Sequence, residues 1–262
     1  MDGDLYSSRT PATFAEGKLD RDPRSGRTPA TFAEGKLDRD PRSGRTPAVL
    51  ILACGALARE LLAVSKLNEL SNVTVECLPG EYHMRPEKIV PALEARLSEH
   101  LNGDTDAHGG ADRYDTIFIG YGDCGTGGAL DRFCATHGLQ RLPGDHCYQF
   151  FAGHEHFLQM HDAEPGTFYL TDYLAKHFDR FVVEALGIDT HPELAELYFG
   201  NYRRMIYLCQ HADPAVEAKA REAARFLGLD FEVVFTGYGE LESTVVEVAT
   251  GRRSTLTAEE PA

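Results

Sequence analysis

Short apolar runs alternate with segments whose apolar residues fall at helical spacing. Val49–Ala53 is continuously apolar, as expected of a strand covered on both faces. Ala56–Leu67 then places Leu57, Leu61, Leu62 and Val64 at helical intervals. Val73–Leu78 reads as a second strand stopped by Pro79–Gly80, and Pro86 as the first-turn residue of a helix to Leu101. Thr116–Tyr121 predicts a third strand, Gly127–His137 a helix ended by Gly138, and Leu139–Leu142 a shorter strand with a helix after Asp145. Thr167–Leu170, Met205–Cys209 and Phe231–Phe235 predict later strands, separated by helices over Tyr173–Leu186, Pro192–Phe199 and Pro214–Leu227. Gly228 stands where a helix commonly ends in the left-handed conformation. The order predicts an α/β fold of Rossmann-like repeated β-α units, a mostly parallel sheet with helices on both faces.

The ends of the chain break this pattern. Residues 9–26 read RTPATFAEGKLDRDPRSG, and residues 27–44 repeat them without a change. The two copies are rich in charge, Pro and Gly and hold only Phe14, Leu19, Phe32 and Leu37 to bury, so residues 1–47 read as a flexible leader. Residues 48–248 form the predicted α/β domain, with two α/β halves as an alternative division. Residues 249–262 read as a loose tail, and the Gly/Asp/His-rich segment from Asn102 to Arg113 as a surface loop.

Charge and composition narrow the partners. A formal net charge of −15 argues against nucleic acid and anionic membranes as partners. No apolar run approaches the length needed to span a bilayer, and the N-terminus lacks the apolar core of a secretory signal. A cytoplasmic location follows as the default expectation. There the 6 cysteines would be thiols or metal ligands and not a disulfide framework.

Three of those cysteines fall where a predicted strand gives way to a helix or turn. Cys54 follows the first strand, Cys124 the third and Cys147 the short fourth. In a parallel sheet the carboxyl ends of all strands share one edge, where ligands bind. Three thiols on one edge point to a metal centre, either a [4Fe–4S] cluster or Zn2+. Successive cysteines lie 23, 47, 10, 13 and 62 positions apart, which matches no zinc-finger or ferredoxin spacing. The site would therefore be assembled from distant strand tips. His83, His154 and Cys209 are reserve ligands, although any one of these histidines taken singly is better read as a surface residue.

Gly122, Gly125 and Gly127 line the loop around Cys124 and are candidate cofactor-binding positions. Gly120, Gly122 and Gly125 also match the spacing of a dinucleotide fingerprint. That fingerprint belongs on the first strand of its unit, with an acid ending the second. Asp145 instead follows a Pro-Gly turn, so no nucleotide is expected. A second chemistry uses Cys124 alone as a nucleophile with His146 as its base, a thiol at a helix N-terminus being easier to ionise.

Ala53–Cys54–Gly55–Ala56–Leu57, Tyr121–Gly122–Asp123–Cys124–Gly125, the segment around Cys147 and Phe235–Thr236–Gly237–Tyr238–Gly239–Glu240–Leu241 resemble the DUF1638 family, a domain of unknown function. The resemblance covers about residues 48–250. The family pattern often reads His-Asp-Cys-Ile at the third cysteine, whereas this chain has Asp145–His146–Cys147–Tyr148. Members often occur near corrinoid-dependent methyltransferase components. The resemblance thus implies a role in one-carbon or methylamine metabolism, with a corrinoid protein or methyltransferase as partner. It leaves open whether the chain is catalytic or a non-catalytic accessory or cofactor carrier.

Overall fold

The computed structural model describes residues 46–102 and 114–251. Every described residue belongs to one compact unit. The duplicated leader up to Arg45, the loop over 103–113 and residues 252–262 are outside the described residues.

The fold is α/β, built on two parallel sheets. The first contains β1 (Val49–Cys54), β2 (Val73–Leu78), β3 (Thr116–Gly120) and β4 (Gln140–Arg141), in the order β2-β1-β3-β4. The second contains β5 (Thr167–Thr171), β6 (Arg204–Cys209) and β7 (Asp230–Phe235), in that order. All pairings are parallel, and helices surround both sheets.

Burial explains which strands are central. Every residue of β1 is buried, as its unbroken apolar run requires, and β6 is buried from Met205 to Cys209. Fully burying one such Leu or Ile side chain stabilises by about 1.5–3 kcal/mol. Edge strand β7 carries exposed Val233 and Phe235.

Helices α1 (Ala58–Leu67), α2 (Ile89–Asn102) and α3 (Ala129–His137) join the first four strands. α4 (Cys147–Ala152) and α5 (His154–Ala163) lead to the second sheet, which α6 (Asp172–Lys176), α7 (Leu194–Phe199) and α8 (Pro214–Leu227) serve. α8 starts as its sequence predicts. Pro214 takes the first turn, Asp213 accepts the Ala215 N–H at 2.9 Å, and Gly228 ends the helix at φ 70°.

Two expectations need correction. The segment from Tyr173 to Leu186 is not one α-helix: α6 stops at Lys176, and a π-helix follows over Asp179–Glu184. The loose tail does not begin at residue 249, because α9 runs over Gly239–Thr250. Leu241, Val245 and Ala249 are buried at a spacing of four, and α9 packs on the first sheet's side of the molecule. Asn68 donates to Glu242 at 3.0 Å and Asn72 to the Ala249 carbonyl at 2.8 Å, closing the chain back onto α1 and β2.

Candidate functional site

The strand order reverses between β1 and β3, since the chain leaves β1 for β2 on one side and returns to β3 on the other. That reversal opens a crevice at the carboxyl edge of an open α/β sheet. Cys54 ends β1, and Cys124 lies four residues beyond β3. Register pairs Ala53 with Gly120, so the two loops leave adjacent tips. The third cysteine arrives by backbone contacts. The Asp123 N–H donates to the Gly144 carbonyl at 3.1 Å and the Cys124 N–H to the Asp145 carbonyl at 2.8 Å, two residues before Cys147 opens α4.

The electrostatics agree with this convergence. Burial raises the Cys54 thiol to about 11, opposed by the Ala56 N–H, which approaches its sulfur at 3.4 Å. Burial, then the neighbouring Cys54, raises Cys124 to about 12. Burial, then Cys124 and Cys54, raises Cys147 well above the usual thiol value. The structure thus brings the three cysteines within electrostatic reach of one another. Cys124 and Cys147 keep some accessible surface although burial dominates both shifts, which is the signature of a recessed floor. Among the described residues, no group of three or more His, Cys, Asp or Glu side chains is gathered tightly enough to hold a metal ion.

Residues around the thiols fall into clear groups. The Tyr121 hydroxyl is buried against the Cys54 thiol and resists ionisation through burial, then the thiols of Cys54 and Cys124. Tyr148 likewise resists ionisation through burial, then Cys147 and Cys124. Burial, with His146 beside it, lowers His83 to about 4, so its imidazole is neutral near pH 7. Burial also lowers His146, which Asp145 and Asp123 partly offset. His83 and His146 therefore stand together at the rim.

The remaining candidates are elsewhere. His154 is exposed at the start of α5, its N–H held by Glu240 at 3.1 Å. Cys209 ends β6 in the other sheet, next to Tyr207 and Asp172. Cys134 is buried on α3, and Cys77 is exposed on β2. Cys77, with Leu52, Glu76, Leu78 and Arg96, lines an open depression of about 330 Å3 that none of the three clustered cysteines touches.

The glycine loop is already filled by its own acid. Asp123 accepts the Thr126 hydroxyl at 2.6 Å, the Gly128 N–H at 2.9 Å and the Gly127 N–H at 3.1 Å. Burial pushes its carboxyl up, but those donors bring it below the usual carboxylate range. The N–H groups that would cradle a phosphate are thus engaged by a carboxylate. Gly122 serves packing, since a β-carbon there would lie 3.0 Å from the Phe150 ring and 3.1 Å from the Gly144 carbonyl. Gly125 and Gly127 supply positive φ, and Cys124 itself sits at φ 48°, which costs about 1–3 kcal/mol in a non-glycine residue.

Sequence reasoning missed the facing half of the site. The carboxyl ends of β5 and β6 meet the first sheet here. Tyr173 lies so close to Gly80 that a β-carbon there would collide with its hydroxyl, and Arg180 pairs with Glu81 at 2.8 Å. Asp172, 1% exposed, accepts the Tyr207 hydroxyl at 2.7 Å and the N–H groups of Gln210 and His211 at 3.0 and 3.2 Å. The Gln210 side chain accepts the Asp172 N–H at 2.7 Å and donates to the Leu208 carbonyl at 2.6 Å. These bonds lock the tips of β5 and β6 together.

No helix among the described residues is long and apolar enough to cross a membrane. Comparison with curated proteins and with solved structures finds no match. The family model described as "Protein of unknown function (DUF1638)" matches residues 77–245, from late β2 into α9, a span that includes Cys124 and Cys147 but neither β1 nor Cys54; the chain belongs to that family.

Proposed function

We propose that Cys54, Cys124 and Cys147 form a three-thiolate site for one metal centre, a [4Fe–4S] cluster or Zn2+, at the carboxyl edge of the first sheet. The observation that carries this reading is the convergence of the three positions on one edge: Cys54 ends β1, Cys124 lies in the loop from the adjacent tip of β3, and the Cys124 N–H bond to the Asp145 carbonyl ties in the start of α4 at Cys147. Three neutral thiols recessed together gain most from a cation, which alone makes all three thiolates stable there. Three protein ligands leave one position open, for substrate or for a neutral imidazole such as His83. By family association we assign the protein to corrinoid-linked one-carbon or methylamine metabolism, beside a corrinoid protein or methyltransferase.

The nucleophile reading is weaker on the same ground. A catalytic thiol needs a lowered pKa, and burial raises Cys124 to about 12. The deciding experiment measures metal and sulfide content and the visible spectrum of protein prepared without oxygen, before and after reconstitution. Bound zinc, or an iron–sulfur absorption band, supports the site. Metal-free, colourless protein after both treatments ends it.

A further inference from the structure

Tyr121 follows β3 by one residue, and its side chain packs into the core of the first sheet with 1% of its surface exposed. Register sets it beside Cys54: Gly120 pairs with Ala53, and Tyr121 and Cys54 come next on their two strands. The hydroxyl is turned to the Cys54 thiol. Among the described residues, however, no partner completes a hydrogen bond with it. A buried hydroxyl without a partner costs stability, so its retention needs a reason outside the metal-free fold.

The reason lies in what the sulfur becomes. A neutral thiol is a weak acceptor, and the Ala56 N–H already approaches this one at 3.4 Å. A thiolate accepts far better, since hydrogen bonds to an ionised partner are shorter and roughly twice as strong. With metal bound, the Cys54 sulfur would stand between two donors, the Ala56 N–H and the Tyr121 O–H. The Gly122 N–H stands at the Cys124 sulfur in the same way. Donors around metal-bound ligands fix the ligands' orientation and strengthen their hold on the metal.

We propose that the Tyr121 hydroxyl donates a hydrogen bond to the Cys54 sulfur when that sulfur is a metal thiolate, and so is a positioning residue of the metal site. This rests on the three-thiolate reading and names the group that completes it.

The test compares the full chain with its Tyr121→Phe variant, which loses the hydroxyl and keeps the ring. Both are reduced and made metal-free, unfolded in urea, and titrated without oxygen with Zn2+ and Co2+ against a competing chelator. The metal-free variant should unfold at the same urea concentration as wild type or a higher one, because an unpartnered hydroxyl is gone. Its zinc affinity should fall about tenfold with one metal per chain retained. Its sulfur-to-cobalt absorption band should move to longer wavelength, since a thiolate relieved of a hydrogen bond gives up electrons more readily. In a Cys54→Ala background, Tyr121→Phe should change zinc affinity by less than about twofold. If the site takes only a cluster, Tyr121→Phe should lower its reduction potential.

Unchanged affinity and cobalt band, or an unchanged cluster potential, overturn the proposal and leave the three-thiolate reading standing. An equal loss of affinity in the Cys54→Ala background overturns it too, because the effect then does not pass through Cys54. So does a metal-free variant that is less stable than wild type or fails to fold, because the hydroxyl then has a partner in the empty site. Wild-type protein that binds neither metal nor cluster removes the three-thiolate reading and this inference with it.

Discussion

Gly120 lies against Ala53 so closely that a β-carbon on the glycine would come within 2.6 Å of the alanine's own. These two residues are register partners at the tips of β3 and β1. Their small size sets how near the loops bearing Cys124 and Cys54 can start. Gly120→Val should therefore destabilise by about 1–3 kcal/mol through overpacking. Urea unfolding should show a lower midpoint with an unchanged slope, and metal capacity should fall in protein that remains folded.

The acid limb of stability should carry the signature of His83. Its imidazole is held at about 4 in the folded state against an ordinary value of 6.5. Between those pH values the unfolded chain binds more protons than the folded one, so stability is lost as pH falls from 6.5 towards 4. The full loss is about 3 kcal/mol for such a shift, and His146 adds in the same direction. His83→Gln should flatten the dependence of the urea midpoint on pH across that window.

Asp123 should act lower on the pH scale. Its carboxyl is held below the usual range, so its contribution is present above the unfolded value and lost as pH falls through the folded one. Asp123→Ala removes three accepted hydrogen bonds, to Thr126, Gly127 and Gly128. The expected cost is about 1–3 kcal/mol, because the group is partly solvated. The variant should also gain weak phosphate binding that wild type lacks, measurable by calorimetry, since the Gly127 and Gly128 N–H groups are released.

Which parts were readable in the chain follows from what periodicity encodes. β1 and α8 were legible because an unbroken apolar run and a capped amphipathic pattern each allow one local structure. The placement of Cys54, Cys124 and Cys147 was legible because strand tips of one parallel sheet share an edge. The split into two sheets was legible only as an alternative, two α/β halves, since β-α alternation is the same whether successive strands join one sheet or two. α9 carries a helical signal of its own, in Leu241, Val245 and Ala249 four apart. The burial of Glu60 left none: an acid in a first helical turn normally serves the helix dipole at the surface, whereas Glu60 is 4% exposed.

Metal binding should release protons and reverse an alkaline weakness. Without metal, Cys54 and Cys124 stay protonated in the folded state up to about 11 and 12, while unfolded thiols ionise near 9. Above pH 9 the folded state then binds more protons, so stability falls as pH rises towards those values. Zn2+ replaces the thiol protons and removes that dependence. Titrating reduced protein with Zn2+ near pH 7.5 in buffers of different ionisation enthalpy should report the release of close to three protons per metal, and thermal unfolding at pH 9.5 should move upward on zinc addition. Cys54→Ser, Cys124→Ser and Cys147→Ser should each lower zinc affinity at least a hundredfold. Cys134→Ser and Cys209→Ser should leave it unchanged, because those sulfurs lie on α3 and in the second sheet.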